Sequence, residues 1–466
     1  VAAAIDGVPA ASTRRFPLTH VLHRKLKSPL PVAMKGEGAY LIDDQGRRYL
    51  DASGGAAVAC LGHSHPAVID AVVEQIRTLP CAHTSFFTSL PSEALANFLI
   101  ARAPRGMVRF LTVSDGSVAV ETALKLARQY WNELKQPQRR YVISRKLSYH
   151  GNTLGALAVS GNLNRRTPYA PLLSESVRHI DPCYAYRYQR ADESLEEYGL
   201  RAANLLEQQI LELGAENVSA FIAETVVGAT AGCVTAAPGY FKRVREICDR
   251  HGVLLILDEI MCGMGRTGTL FACEQEDVTP DLITVAKGLG GGYQPIGGVL
   301  ANEKVITAIE RGSSALANGH TYMGHSVACA AALAVQQVIE REQLLLHVKT
   351  LGKAFEEKLR ARFGDHPHVG DIRGRGLFWA IELVEDRDSK SPFEPALRLN
   401  ERVKAAAMER GLVCYPAGGT ADGIRGDHVL FAPPYIATDA QLDDVVDITA
   451  QSLEAALAQI SSPAWR

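Results

Sequence analysis

The sequence contains no run of about 18 uninterrupted apolar residues, so no stretch of it is suited to crossing a bilayer as a helix. Neither sign of charge dominates. The formal net charge is -2 over 466 residues, which excludes bulk attraction to nucleic acid or to an anionic membrane. No CxxC pair occurs among the nine cysteines, which scatter from Cys60 to Cys414. An odd, scattered set of thiols reads as reduced cysteine in a cytoplasm, not as a disulfide framework or a zinc site. Residues Val1–Pro17 lack a basic region followed by an apolar core, so they do not read as a secretory leader. There is no internal repeat and no low-complexity tract.

What is present is material for a large core. Hydrophobic residues make up 47% and charged residues 21%, and the length suffices for two domains. Short apolar runs alternate with amphipathic stretches, the pattern of a parallel βαβ sheet. The runs Arg109–Val113, Tyr141–Ser144, Ala220–Ala223, Val253–Leu257 and Leu282–Ala286 predict buried strands. Ser117–Trp131 and Gly239–Arg250 predict helices, the second ended by Gly252. Hairpin-like pieces flank Asp44-Gln45-Gly46, and long helices begin near Ser326, followed by a strand at Leu377–Leu383. The expected division is an N-terminal segment 1–60 that joins a small domain, a large domain 61–330, and a C-terminal small domain 331–466.

Four segments carry chemistry. Val253–Leu257 runs into Asp258-Glu259, and ligands of open parallel sheets sit at the carboxyl ends of strands. Adjacent acids on a strand point to opposite faces, so these two form no dyad; the plain alternative is a pair of solvated strand-end acids. Twenty-nine positions after Asp258 stands Lys287, behind Leu282–Ala286 and ahead of Gly288-Leu289-Gly290-Gly291-Gly292. Desolvation there would lower the lysine pKa and leave a nucleophilic amine; a lysine snorkelling to water is the plain alternative. Ser114-Asp115-Gly116-Ser117 opens a helix whose N–H groups could cradle a phosphate, or it is an ordinary N-cap. Tyr149, in Tyr149-His150-Gly151, could lay its ring on a flat ligand or be a core aromatic.

Taken together these segments resemble the cofactor signature of class III (omega) aminotransferases. Asp258-Glu259-Ile260, Gly263-Met264-Gly265-Arg266-Thr267-Gly268 and Ala286-Lys287-Gly288-Leu289 carry the resemblance. Gly116–Glu121, Tyr149-His150-Gly151, Glu224 and Gly319-His320-Thr321-Tyr322 add to it in family order, and the similarity runs from about Gly36 to Ile436. It implies an α/β enzyme of the pyridoxal-phosphate transferase fold type I: a large domain with a mostly parallel sheet, and a small α+β domain from both termini. It implies pyridoxal phosphate held by Lys287 as a Schiff base, with Asp258 on the pyridine nitrogen. Gly116 and Ser117 would hold the phosphate, with Thr321 of a neighbouring subunit; Tyr149 and Ile260 would enclose the ring, and Glu224 would lie on its phenolic side. A site shared in this way implies a homodimer, with Phe86 and Phe87 also facing the partner's cofactor and substrate.

Departures from the family pattern bear on substrate. Met261 stands where the branches acting on γ-aminobutyrate and ornithine resemble Asp-Glu-x-Gln, and Leu430 stands where they tend to carry arginine. The expectation is therefore an amine or omega-amino acid donor and a keto-acid acceptor, pyruvate in particular. Ser53-Gly54-Gly55-Ala56-Ala57 implies a roomy pocket near Ala57, and Arg425 is a shifted candidate for the substrate carboxylate. A diaminopelargonate-type transaminase and a dialkylglycine-type decarboxylase share these motifs. A NAD-dependent oxidoreductase is the rival of another class, because Gly263-x-Gly265-x-x-Gly268 matches GxGxxG, but Thr269–Ala272 starts no clear helix. His63-x-His65, followed by Pro66, reads as a turn and helix start and not as a metal site; no metal is expected.

Overall fold

The structure is a computed structural model that describes residues 19–26 and 30–461. The stretch Val1–Pro17 lies outside the described residues, and with it the beginning of the N-terminal segment 1–60.

A seven-stranded sheet positions the site. Its strands are β1 (Met107–Val113), β2 (Tyr141–Arg145), β3 (Val177–Ile180), β4 (Val218–Glu224), β5 (Leu254–Asp258), β6 (Leu282–Val285) and β7 (Gly297–Asn302). The spatial order is β1-β7-β6-β5-β4-β2-β3. All neighbouring pairs are parallel except those that β7 makes with β6 and β1. The central strands are apolar on both faces because helices cover both. Ala220, Ile222, Leu254 and Ile256 pack with the helix Gly116–Glu133. The alternate residues Phe221, Ala223, Leu255 and Leu257 pack with the helices Leu195–Leu213 and Tyr240–His251. This period-two division is what a strand buried on both sides requires.

The five strand runs expected from the sequence form β1, β2, β4, β5 and β6, and Gly252 ends its helix at φ 64°. β3 and β7 were not anticipated. The glycines of β7 serve close packing: a Cβ on Gly297 would meet the Asp115 carbonyl oxygen at 2.4 Å, and one on Gly298 would meet the Phe110 ring at 2.3 Å.

A second core joins both ends of the chain, with Ala39, Leu50 and Leu61 packed among Phe355, Trp379, Val403, Phe431 and Leu453. Two further four-stranded sheets belong to it. The helix Ser326–Arg341 packs on both cores, through Ala328 and Cys329 on one and Ala331 and Val335 on the other. On this packing we keep the division at 60 and 330 as a proposal. The glycine motif after β5 is a bridge between the cores: buried Arg266 donates to the carbonyls of Leu377 at 3.0 Å and Pro433 at 2.5 Å. A short 3-10 turn, Ala272–Glu276, follows where a dinucleotide fold needs a helix.

Candidate active site

Asp258 and Glu224 end adjacent parallel strands in direct register. Both side chains are buried, so neither is a solvated strand-end acid. The Asp258 carboxylate is held from two sides: Oδ2 lies 2.7 Å from Nδ1 of His150, and Oδ1 accepts the Ile260 amide at 3.0 Å. Glu224 accepts the amides of Tyr149 at 3.0 Å and Gly228 at 2.9 Å. Burial lifts its pKa above the usual carboxylate range, and the charge of Asp258 adds to this. Glu259 points the other way, as alternation demands. It accepts the amides of Ala272 and Cys273 at 2.6 and 2.7 Å and the Thr225 hydroxyl at 3.1 Å. It is an anchor for the loop after β5, and burial pushes its pKa up to about 7.

β6 stops at Val285, and Lys287 follows in the left-handed region at φ 45°. A non-glycine residue there costs backbone strain, which a surrounding structure must hold in place. The turn swings Lys287 into a cavity of about 430 Å³ that Asp258 and Glu224 also line. Burial lowers the ammonium pKa to about 8, against the pull of the two carboxylates.

The start of the helix Gly116–Glu133 also lines this cavity. Asp115 is its N-cap, accepting the amides of Ser117 at 2.7 Å and Val118 at 3.1 Å. Two amides that the sequence left open for an anion are thus already engaged, and a phosphate would meet the Ser117 hydroxyl and the Gly116 backbone. At Gly116 a Cβ would stand 3.0 Å from the Ile260 side chain, which would have to give way. Gly151 is more tightly constrained, at φ 134° with Ser117 Cα 2.8 Å from the place of a Cβ. Tyr149, His150 and Ile260 also line the cavity, and Val58, Val226, Ala229 and Met261 give it an apolar flank.

Of the residues singled out in the sequence, Gly116, Ser117, Tyr149, Glu224, Asp258, Ile260 and Lys287 line this one cavity. Ala57 does not. It is buried in an apolar cluster with Met261 and Leu430, in the left-handed turn Gly54–Ala57, and Val58 lines the cavity instead. Thr321 is exposed. Phe86 and Phe87 are 78% and 68% exposed. Arg425 lies on an exposed turn outside the cavity, its Nε on Asp422 at 2.8 Å; meeting a ligand in the cavity would require it to leave that partner. The sequence reading missed His150 as the support of Asp258, because 108 residues separate them. It also missed Val58, Val226 and Ala229. His63 and His65 pair with Asp51 at 3.1 Å and Glu342 at 3.5 Å.

A sheet whose carboxyl ends present a lysine of lowered pKa, a clamped carboxylate and a glycine-opened helix start agrees with the pyridoxal-phosphate transferase fold type I that the sequence resembles. Similar proteins narrow the class. The family model for aminotransferase class-III matches residues 22–453. An uncharacterized aminotransferase of Schizosaccharomyces pombe is 46% identical over 92% of this chain and 94% of its own. A gamma aminobutyrate transaminase 3, chloroplastic, of Solanum lycopersicum is 35% identical over 92% of this chain and 81% of its own. An omega transaminase from Pseudomonas jessenii, solved in complex with PMP, superimposes with a TM-score of 0.87 at 34% identity, covering 93% of this chain and 94% of that one. The chain belongs to the class III aminotransferases, and it is a transferase that works with pyridoxal phosphate.

The residues present fit that cofactor. The cavity pairs a glycine-opened helix start with a clamped carboxylate, and the buried Nε2 of His150 has no partner among the described residues.

Proposed function

We propose that this enzyme moves an amino group from an amine or omega-amino acid to a keto acid, pyruvate in particular, in ping-pong order. The observation that carries the reading is the apolar flank of Val58, Val226, Ala229 and Met261 beside Lys287, which suits an apolar amine. Gly228 makes room for it, because a Cβ there would meet the Met261 sulfur at 2.3 Å. The likeness to an omega transaminase supports the same reading.

In this reading Lys287 holds the cofactor, Asp258 meets its ring nitrogen, and Gly116 and Ser117 take the phosphate. Tyr149 and Ile260 enclose the ring, and Glu224 stands on its phenolic side. Bound there, pyridoxal phosphate supplies an electron-withdrawing ring that takes up the electron pair released at the substrate carbon. The chain supplies the rest. The Lys287 amine, kept partly neutral by burial, accepts and returns the proton at that carbon. The Asp258 carboxylate stays fixed because His150 and the Ile260 amide hold both oxygens, so no reorganisation accompanies the charge it stabilises. The apolar walls keep water from the reacting carbon.

A screen of amine donors with pyruvate and 2-oxoglutarate as competing acceptors tests the reading. Apolar amines with pyruvate should turn over fastest. Preference for γ-aminobutyrate or diaminobutyrate with 2-oxoglutarate, or release of carbon dioxide together with a ketone from a dialkylglycine donor, would overturn it. γ-Aminobutyrate belongs in the screen because a relative carries that name, although Met261 and Leu430 depart from that branch.

Assembly belongs to the same proposal. Exposed Phe86, Phe87 and Tyr322 are large apolar side chains. Tyr322 lines a smaller cavity that shares Ser114, Gln294, Pro295 and Ile296 with the first. A two-fold dimer would cover these side chains and bring Thr321 to the neighbour's phosphate end. Sedimentation should show a dimer at assay concentrations, and mixing inactive Lys287→Ala with inactive Thr321→Asp should recover activity. A fully active monomer would contradict the dimer. All nine cysteines are free thiols, which supports a cytoplasmic setting. Among the described residues no helix is long and apolar enough to cross a membrane.

A further inference from the structure

The lining of the main cavity carries three acidic residues, Asp115, Glu224 and Asp258, and among the described residues a single lysine, Lys287. A keto acid brings another carboxylate, and a carboxylate leaving water needs a cationic partner. No arginine among the described residues lines the cavity. Arg145 reaches Glu224, but it is buried and spends an Nη on the Glu224 carbonyl at 2.5 Å. Arg425 is engaged by Asp422.

Arg165 differs from both. It stands on the four-residue helix Leu163–Arg166, capped by Asn162, whose side chain accepts the Arg165 amide at 3.1 Å. Gly161 seats the start of this segment tightly: a Cβ there would meet the Arg145 carbonyl oxygen at 2.3 Å and Lys146 Cα at 2.7 Å. Gly423, in the turn that carries Arg425, packs against the other side, where a Cβ would meet Leu163 at 3.1 Å. The segment is thus wedged between two parts of the chain, which limits where Arg165 can reach.

It reaches Tyr149. The guanidinium carbon lies 4.7 Å from the ring centroid, and Nη1 is 3.5 Å from the phenolic oxygen. Tyr149 is itself a wall of the cavity. The positive charge of Arg165 is felt at Lys287, where it adds to the lowering of the ammonium pKa. Among the described residues Arg165 makes no ion pair. An exposed arginine is ordinarily a solvated cation. This one is stacked on the aromatic wall of an acid-rich cavity with its charge unspent, and stacking leaves the planar fork free to bind a carboxylate side-on.

We propose that Arg165 recognises the carboxylate of the acceptor, which makes an α-keto acid the second substrate. The inference rests on the transaminase reading above. An apolar amine donor occupies the Val58 and Met261 flank, and the keto-acid carboxylate takes the Arg165 side of Tyr149. One pocket thereby serves both substrates without burying an unpaired charge beside the amine.

The test uses the holoenzyme with pyruvate and, as an uncharged acceptor of similar size, propanal. Arg165→Ala should raise the KM for pyruvate at least about tenfold, since removing one member of a charged hydrogen-bonded pair costs that much or more. The kcat should change much less, the KM for propanal should hold, and Arg165→Lys should recover part of the loss. Calorimetric binding of propionate, which cannot react, should weaken by a similar factor in Arg165→Ala. Equal losses with pyruvate and propanal would overturn the proposal, because they would make Arg165 a support for Tyr149. So would unchanged propionate binding, or a pyruvate loss that follows Arg425→Ala and not Arg165→Ala. If the parent enzyme accepts propanal but no keto acid, the keto-acid acceptor in the proposed function fails, while the propionate titration still decides Arg165.

Discussion

Lys287→Ala is expected to abolish turnover and to remove the visible absorption band of the bound cofactor. A fall of about 10⁴-fold or more is the scale for losing a residue that acts as both attachment point and general base. The sequence supplies the reason for the position: apolar β6 carries the chain into the interior, and the glycines after Lys287 let the backbone turn there. The structure adds two conditions. Lys287 is held at φ 45°, so the turn itself aims the side chain at Asp258 and Glu224. Burial brings its pKa to about 8 from the ordinary 10.5. The sign follows from the lowered value. The amine loses its proton as pH rises through about 8, more than two units earlier than a solvated lysine does, and only the neutral amine attacks a carbonyl. Loading of cofactor-free protein with pyridoxal phosphate should therefore accelerate through that range and level off above it. Borohydride reduction and peptide mapping should place the label on Lys287. A label on any other lysine, or a loading rate still climbing steeply toward about pH 10, where a solvated lysine titrates, ends the assignment.

Asp258→Asn should lower kcat by about 10³-fold or more, which corresponds to about 4 kcal/mol of transition-state stabilisation. The amide keeps the size and can still meet the Ile260 amide through its oxygen, so the fold is not at risk. The loss is of charge, at a buried place where two hydrogen-bonding partners hold the group. Single-turnover measurements of each half-reaction, with cofactor content checked by absorbance, would separate this from simple loss of cofactor. Near-normal rates in the loaded variant would reduce Asp258 to a partner for His150.

Much of the site was legible because the relevant signals are local. A buried parallel strand is a short apolar run, and its end is the point where that run meets a charge. Asp258 and Lys287 are both marked in this way, and so is Glu224, the last residue of the fully buried β4. The glycine at 116 is local too, since a glycine at a helix start leaves the backbone open to a ligand, and a Cβ there would crowd Ile260 at 3.0 Å. What the sequence could not mark is any group whose importance comes from a distant neighbour. His150 is unremarkable until the fold sets it 2.7 Å from Asp258. Arg165 follows an asparagine cap in a polar stretch and looks like surface until its guanidinium is found over Tyr149. The pocket position read as Ala57 slipped by one residue, because the left-handed turn Gly54–Ala57 rotates Ala57 into the core and leaves Val58 on the cavity.

The same division holds for the molecule as a whole. Residue order by itself determined the class of fold and the strands that bear the chemistry, because hydrophobic period and strand-end chemistry are properties of consecutive residues, and the motifs at those strand ends carried the resemblance to the family. Tertiary structure alone decided that Glu259 is a loop anchor while its neighbour Asp258 faces the cavity with His150 behind it. It alone decided that the glycine motif after β5 bridges two cores through Arg266, and that Arg425 is paired with Asp422 while Arg165 makes no ion pair among the described residues. Which charges meet across long stretches of chain is settled only when the two cores pack and bring those charges together.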